Sequence, residues 1–301
     1  MVMIIKQPGK TPNFITKSFF AKLFVTLFIV FSFCFSANAQ QRPLLTEDVD
    51  IIEPGSVRTQ IGFELLQKQK FGISGLEGDL SRLGVIDMAI GLSPNVQFEI
   101  EGTLRQYLSI DKFGPSQIPL NISTNSLSTS DVGDFTLATK IKLRNETART
   151  PSLGFRFGVQ LPNTNQAKGL GTNSTNFFAT VLAGKKLLSN RLNLFGNLGL
   201  AILNAPTQQF SQNDVMLYGI AGIYKFNKRI NLVGEVNGRY SFRKAPVGTE
   251  DISEARFGFQ LFAGGLRFDL AGVKGMTDFS PNSGIVFGVT KDIKALFNPV
   301  R

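Results

Sequence analysis

Apolar and polar positions alternate with a period of two along most of the chain, and the clearest instance runs from Val96 to Leu108. One set is Val96, Phe98, Ile100, Gly102, Leu104, Gln106 and Leu108; the other is Gln97, Glu99, Glu101, Thr103, Arg105 and Tyr107. Successive side chains of a strand point to opposite faces, so this pattern predicts a strand with one apolar and one polar side. A soluble sandwich would turn the apolar side into a core. A transmembrane barrel would turn it to lipid and the charged side to the lumen.

The same two-faced pattern predicts twelve strands, at 56–69, 80–92, 96–108, 134–144, 153–161, 177–186, 191–202, 215–225, 230–240, 255–262, 266–274 and 284–293. Alternation is weak at 177–186 and 215–225, and no facing is assigned there. The connections alternate long and short, with 145–151 the poorest fit. An up-and-down barrel has this rhythm, with short periplasmic turns and longer external loops, whereas a Greek-key sandwich does not. The expected fold class is all-β: a transmembrane up-and-down antiparallel β-barrel of about 12 strands.

Placing the polar faces inward gives the lumen Arg58, Glu64, Asp87, Glu99, Glu101, Arg105, Lys140, Lys142, Arg156, Glu235, Arg239, Arg256, Arg267 and Asp269. An arginine on the lipid side at mid-bilayer costs roughly 2–4 kcal/mol, so lipid selects for this segregation. Two readings of the charges stand side by side: interlocking ion pairs that plug a narrow barrel, or the lining of a wet pore.

The N-terminus changes the picture further. Lys6, Lys10, Lys17 and Lys22 precede an apolar run from Leu23 to Phe35 and an Ala37-Asn38-Ala39 end. This predicts a secretory signal peptide over 1–39, with a run too short for a spanning helix. A periplasmic lead-in over 40–55, a barrel over 56–293 and a tail over 294–301 complete the expected organisation. The formal charge of +10 comes from 32 basic and 22 acidic residues, and loss of the leader removes four lysines and no acid. The remaining excess is spread along the chain, which is no nucleic-acid footprint.

Composition also narrows the chemistry. There is no histidine, and the one cysteine, Cys34, lies in the expected leader. Ser-His-Asp and Cys-His catalysis and the usual zinc and haem sites are therefore absent, and no metal or cofactor is expected. A carboxylate-only hydrolase would have Glu99, Glu101 and Glu235 as candidates solely because they face the lumen. Tryptophan is absent and tyrosine scarce, so phenylalanine must supply most of any interfacial belt.

Several short motifs carry a family resemblance. Pro43-Leu44-Leu45-Thr46-Glu47-Asp48 followed by Gly55, Gly133-Asp134-Phe135 through Lys140, Leu161-Pro162-Asn163-Thr164, Asn197-Leu198-Gly199 and Phe279-Ser280-Pro281-Asn282 together resemble the outer-membrane proteins of the MetA pathway of phenol degradation. The chain departs from them with Glu47 where Asp is usual and Asn163 where a Pro-Thr pair is common, and its last aromatic, Phe297, precedes the terminus by four residues. The resemblance implies an outer-membrane barrel that takes up aromatic or other hydrophobic compounds, with no catalytic residues to carry over.

The leading expectation is thus a porin-like channel or transporter in the bacterial outer membrane for small, aromatic or hydrophobic solutes, performing no chemistry. Its partners would be outer-membrane lipid, the solute and the barrel-assembly machinery during biogenesis. The alternative is a structural or adhesive surface barrel acting through its extracellular loops.

Overall fold

The structure is a computed structural model and describes residues 43–122, 127–208 and 211–298; the expected signal peptide lies outside these residues. Among them are thirteen strand segments: β1 (Val57–Phe71), β2 (Leu76–Ser93), β3 (Val96–Phe113), β4 (Ser128–Asp131), β5 (Thr136–Arg144), β6 (Ser152–Gln160), β7 (Asn176–Leu187), β8 (Leu192–Asn204), β9 (Gln212–Lys225), β10 (Ile230–Ser241), β11 (Ile252–Ala263), β12 (Leu266–Gly275) and β13 (Ser283–Ile293). Neighbours pair antiparallel, and β1 pairs with β13 from Val57↔Ile293 to Gln67↔Ser283, which closes the sheet.

β4 and β5 are two pieces of one wall strand. β3 pairs with β5 from Val96↔Ile141 to Glu101↔Thr136 and with β4 from Gln106↔Asp131 to Ser109↔Ser128, in one continuous register. The wall is therefore a closed, twelve-stranded antiparallel barrel, as the alternation predicts. Closure pairs the ladder groups of the wall, the β arrangement a bilayer tolerates, with β4, alone among the described strands, bonded on one side only, to β3.

β1, β2 and β3 are longer than alternation suggests. The expected loop at 71–78 shrinks to a turn at 72–75, and the expected loop at 109–130 gives Ser109–Phe113 to β3 and Ser128–Asp131 to β4. The reason is an inversion of facing partway up these strands. In lower β2, Val85, Asp87 and Ala89 are buried inward; above Gly84 the buried set becomes Leu80, Gly78 and Leu76. In β3 the buried Gln97, Glu99 and Thr103 give way to Gln106, Leu108 and Ile110. Gly84 makes the shift: β1 pairs Gly62↔Val85 and then Phe63↔Leu83, so Gly84 is an extra residue, held at φ +61°. That dihedral belongs to the left-handed region, which glycine enters without the penalty a Cβ incurs.

Below the inversion the outer face is apolar, with Ile61 and Phe63 on β1, Ile86 and Met88 on β2, and Phe98, Ile100 and Leu104 on β3. Above it, the outer face carries Lys68 and Lys70, Asp79, and Arg105, Ser109 and Asp111. The inner face changes in the opposite sense. Leu66, Leu76, Leu80, Leu108, Ile110, Val273 and Val286 form one apolar cluster inside the long-loop end, capped by Leu170 from the β6–β7 loop. Gln106 and Leu108, expected outside, thus point inward.

The two weakly alternating strands are resolved as well. β7 turns Asn176, Thr180, Leu182 and Gly184 inward, and β9 turns Asn213, Val215, Ala221 and Ile223 inward. Apolar and small residues on the lumen side erased the contrast that the period-two reading needs. The poorly fitting 145–151 connection is a built turn: Lys185 Nζ donates to the Thr147 carbonyl, and Lys186 N–H donates to the Glu146 carboxylate.

Candidate functional site

Residues 43–55, expected as a lead-in beneath the barrel, run up inside it. Gly55 sits at the short-turn rim, where its N–H donates to the Gly91 carbonyl. From there towards the N-terminus the chain climbs the lumen and is gripped at each level. Ile52 N–H donates to Gln97 Oε1, and Asp50 takes Lys142 and Lys186 at 3.1 and 3.0 Å. Higher up, Glu47 meets Lys140 at 3.0 Å, and the Glu235 carboxylate accepts the N–H groups of Leu45 and Thr46 at 2.8 Å each. Arg256 Nη1 donates to the Pro43 carbonyl. With its amide nitrogen turned to the Glu47 carbonyl (2.7 Å) and its oxygen to the Glu47 N–H (2.8 Å), Asn197 pairs with the segment as a neighbouring strand would.

Apolar contacts complete the seat. Leu44 packs with Phe195, Ala221, Ile223 and Val233. At Gly219 an added Cβ would lie 2.6 Å from Thr46 Oγ1, so only glycine lets the segment approach β9 this closely.

Lys140 and Arg156 are the hubs of the lumen charges. Lys140 Nζ faces Glu47, Asp48 and Glu99 at 3.0, 3.7 and 3.4 Å, and Arg156 binds both Glu99 and Glu101. Carboxylate oxygens of Glu47, Glu99 and Glu101 lie within 4.8 Å of one another, close enough to share a divalent cation. The ammonium and guanidinium already stand among them and supply that charge. A second hub is Arg256, bonded to Glu254 and within 3.5 and 3.8 Å of Glu64 and Glu235. The carboxylates offered as hydrolase candidates, Glu99, Glu101 and Glu235, are all held in these ion pairs and in the seat of the segment.

Burial sets the titration of the segment's own acids. It pushes Glu47 up to about 7, against the pull of Lys140, and Asp48 up to about 6. Burial acts upward on Asp50 too, but Lys186 and Lys142 outweigh it and hold that carboxyl below its usual range.

Above the segment the lumen opens. A chamber of about 250 Å³ has Pro43, Leu44 and Leu45 as part of its lining, with Arg82, Asp87 and Arg156 on its walls. A vestibule of about 170 Å³ lies towards the long loops, between Phe71, Leu170, Arg239 and Phe279. Arg82 and Glu254 line both, so they mark the passage between them. The sequence pattern did not single out Arg82, because it lies beyond the Gly84 inversion.

Thirteen of the fourteen expected lumen residues face inward. Arg58, Gln60, Asp87, Arg267, Asp269 and Thr290 form a buried polar layer beside the segment, in which Gln60 donates to Asp87 and accepts from Arg267. Glu64, Glu99, Glu101, Lys140, Lys142, Arg156, Glu235, Arg239 and Arg256 complete the set. Arg105 is the correction. It is exposed on the opposite face from buried Gln106 and Leu108, beside Tyr107 at 5.6 Å, because the inversion falls just before it.

Residues from four of the five motifs that carried the family resemblance meet in two places, and the fifth, at 279–282, borders the vestibule. Thr46, Glu47, Asp48, Lys140 and Asn197 converge where the segment docks. Gly133 and Phe135 meet Asn163 where β4 and β5 are interrupted: Asn163 Nδ2 donates to the Gly133 carbonyl, and Phe135 N–H donates to Asn163 Oδ1.

No family model matches the chain, and no curated protein matches it either. Among solved structures it is similar to an outer membrane channel from Pseudomonas putida F1, at 14% identity and a TM-score of 0.58, over 82% of this chain and 98% of the other. The translocator domain of the autotransporter NalP from Neisseria meningitidis aligns at 12% identity with a TM-score of 0.48, over 92% of this chain and 97% of that domain. At 14% identity the likeness to the Pseudomonas putida channel speaks for the fold.

Proposed function

We propose that this protein is an outer-membrane channel for small solutes whose lumen is closed by its own N-terminal segment. The carrying observation is that segment: residues 43–52 occupy the short-turn half of the lumen, joined to the wall by ion pairs and backbone hydrogen bonds, while a chamber and vestibule lie above it. The apolar outer band, backed by a closed wall, supports residence in a bilayer. The fold shared with the Pseudomonas putida channel is consistent with it.

The chamber combines ion-paired walls with apolar surfaces from Pro43, Leu44 and Val85, and an apolar cluster lies nearer the mouth. Such a route suits a small solute with an apolar or aromatic body and a polar end. The resemblance to the phenol-degradation proteins supports the same class. On this reading permeation requires the segment to shift, because residues 43–52 are seated in the lumen between Lys140, Glu235 and Arg256.

Single-channel recording in planar bilayers tests this reading. The intact barrel should show low conductance, and a variant lacking residues 43–52 that still shows the heat-dependent gel mobility of a folded barrel should conduct several-fold more. A folded deletion variant that stays silent overturns the proposal. Uptake of benzoate-sized aromatic compounds against sugars of similar mass, in cells carrying or lacking the protein, then tests the solute class.

A further inference from the structure

Arg105 lies on the outer wall, where a charge is expensive unless it reaches the headgroups. A strand rises about 3.3 Å per residue and, tilted by about 40°, climbs roughly 2.5 Å of barrel height; an apolar band about 25 Å tall then ends about ten residues above the turn. On β3, which begins at Val96, that level falls between Leu104 and Tyr107. The outer face obeys this limit: Leu104 closes its unbroken apolar run, Arg105 is its first charge, and Tyr107 sits where interfacial aromatics gather, with Ser109 and Asp111 above it before Phe113 ends the strand.

Beside Arg105 is a cavity of about 490 Å³, opening along β4 and bounded by Tyr107, Asn121, Ser130 and Lys168. The Arg105 guanidinium donates one hydrogen bond, to Ser130 Oγ, and stacks towards Tyr107. Among the described residues its remaining N–H groups and the Lys168 ammonium meet no carboxylate. The one acid in the lining, Asp131, is spent on backbone: its oxygens accept the N–H groups of Val132 and Asn165. Two cations that touch no described carboxylate, Arg105 and Lys168, therefore outweigh the single Asp131 charge around a roomy cavity at the level of the outer-leaflet headgroups.

We propose that this cavity binds the phosphate of an outer-leaflet lipid headgroup, with Arg105 and Lys168 as its cationic clamp and the Ser130 and Asn121 side chains as neighbours for the attached sugar. Arg105 offers a planar fork suited to phosphate oxygens, and Lys168 adds a second charge from the 3-10 turn Gln166–Lys168. The inference rests on the membrane placement argued above. It assigns a role to the expected lumen charge that lies outside: the lipid would seal the wall where β4 stops short and the β6–β7 loop takes over.

Native mass spectrometry of the purified barrel in non-ionic detergent tests it, with lipid A, fully dephosphorylated lipid A and inorganic phosphate as probes. Lipid A should be retained at least tenfold better than its dephosphorylated form, and Arg105→Gln/Lys168→Gln should abolish that preference. Equal retention of both lipids, or an unchanged preference in the double variant, overturns the proposal. Inorganic phosphate that binds as tightly as lipid A overturns the lipid as its source. Insertion of the same preparations into liposomes is scored by protease protection. A barrel that inserts but shows no phosphate preference sinks this site alone, whereas failure to insert sinks the channel reading.

Discussion

Lys140 Nζ lies 3.0 Å from Glu47 Oε2, and that contact joins the barrel wall to the segment that fills it. Lys140 is also shared with Asp48 and Glu99, so a single 1%-exposed ammonium balances three buried carboxylates. Removing one partner of a buried ion pair leaves the others uncompensated, typically at about 3–5 kcal/mol. Lys140→Met is expected to release residues 43–50 from their seat, raising bilayer conductance while the wall stays folded. Glu47→Gln keeps the hydrogen bond and should have a much smaller effect; equal conductance of both variants and the parent would show that Lys140 does not hold the segment.

Docking of the segment should depend on pH in a stated direction. Seated, Glu47 titrates near 7 and Asp48 near 6; released, they return towards 4.5 and 3.8. The seated form therefore binds more protons across that window, so docking tightens as pH falls through 7 and weakens as pH rises. Asp50 works the other way, but its lowered value puts its loss below the ordinary carboxylate range, outside this window. Conductance should rise from pH 5 to pH 8, with the docking equilibrium moving by at least about tenfold, one pKa unit being worth that factor. Glu47→Gln/Asp48→Asn should flatten the profile, and a profile that rises towards acid would contradict the assignment.

Ile100 and Glu101 face opposite sides of β3, Ile100 outward in the apolar band and Glu101 inward on Arg156. Ile100→Arg places a cation against lipid at a cost of roughly 2–4 kcal/mol and should lower the yield of folded, membrane-inserted barrel. Glu101→Arg places it beside Arg156 in the lumen, where the wall should still form and ion preference should shift towards anions. Reversal potentials in a salt gradient and the folded fraction on unheated gels read the two effects separately. The opposite ranking would mean the strand is inside out.

Gly84 marks where inside and outside exchange. A Cβ there would lie 2.8 Å from Leu104 Cδ1, on a backbone at φ +61°. Gly84→Val combines that clash with a dihedral that costs a residue bearing a Cβ roughly 1–2 kcal/mol. It should lower the urea midpoint of the barrel clearly, whereas Gly91→Ser, at the rim and without a positive φ, should act mainly on how the segment enters. A Gly84→Val barrel as stable as the parent would remove the structural reason given for the inversion.

What the sequence determined by itself was everything that follows from side chains meeting two different solvents. Alternation along Val96–Leu104 or Leu266–Leu270 reports a strand with lipid-like surroundings on one side and polar ones on the other, whatever its neighbours are. The barrel class, the twelve wall strands and the facing of thirteen expected lumen charges all came from that contrast. It failed where the contrast failed: in β7 and β9, whose lumen side mixes apolar and small residues with polar ones, and above Gly84, where the outer surroundings turn polar and Arg105 changes sides. Tertiary structure alone decided what lies within the wall. The segment 43–55 has the composition of an exposed connection, with charges and prolines and no period. Its place in the lumen depends on Lys140, Asn197, Glu235 and Arg256, which lie about 90 to 210 residues away in sequence and become neighbours only when β1 closes on β13. Charge pairing across that distance leaves no local pattern, so the strands could be read from the chain and the closure of the lumen could not.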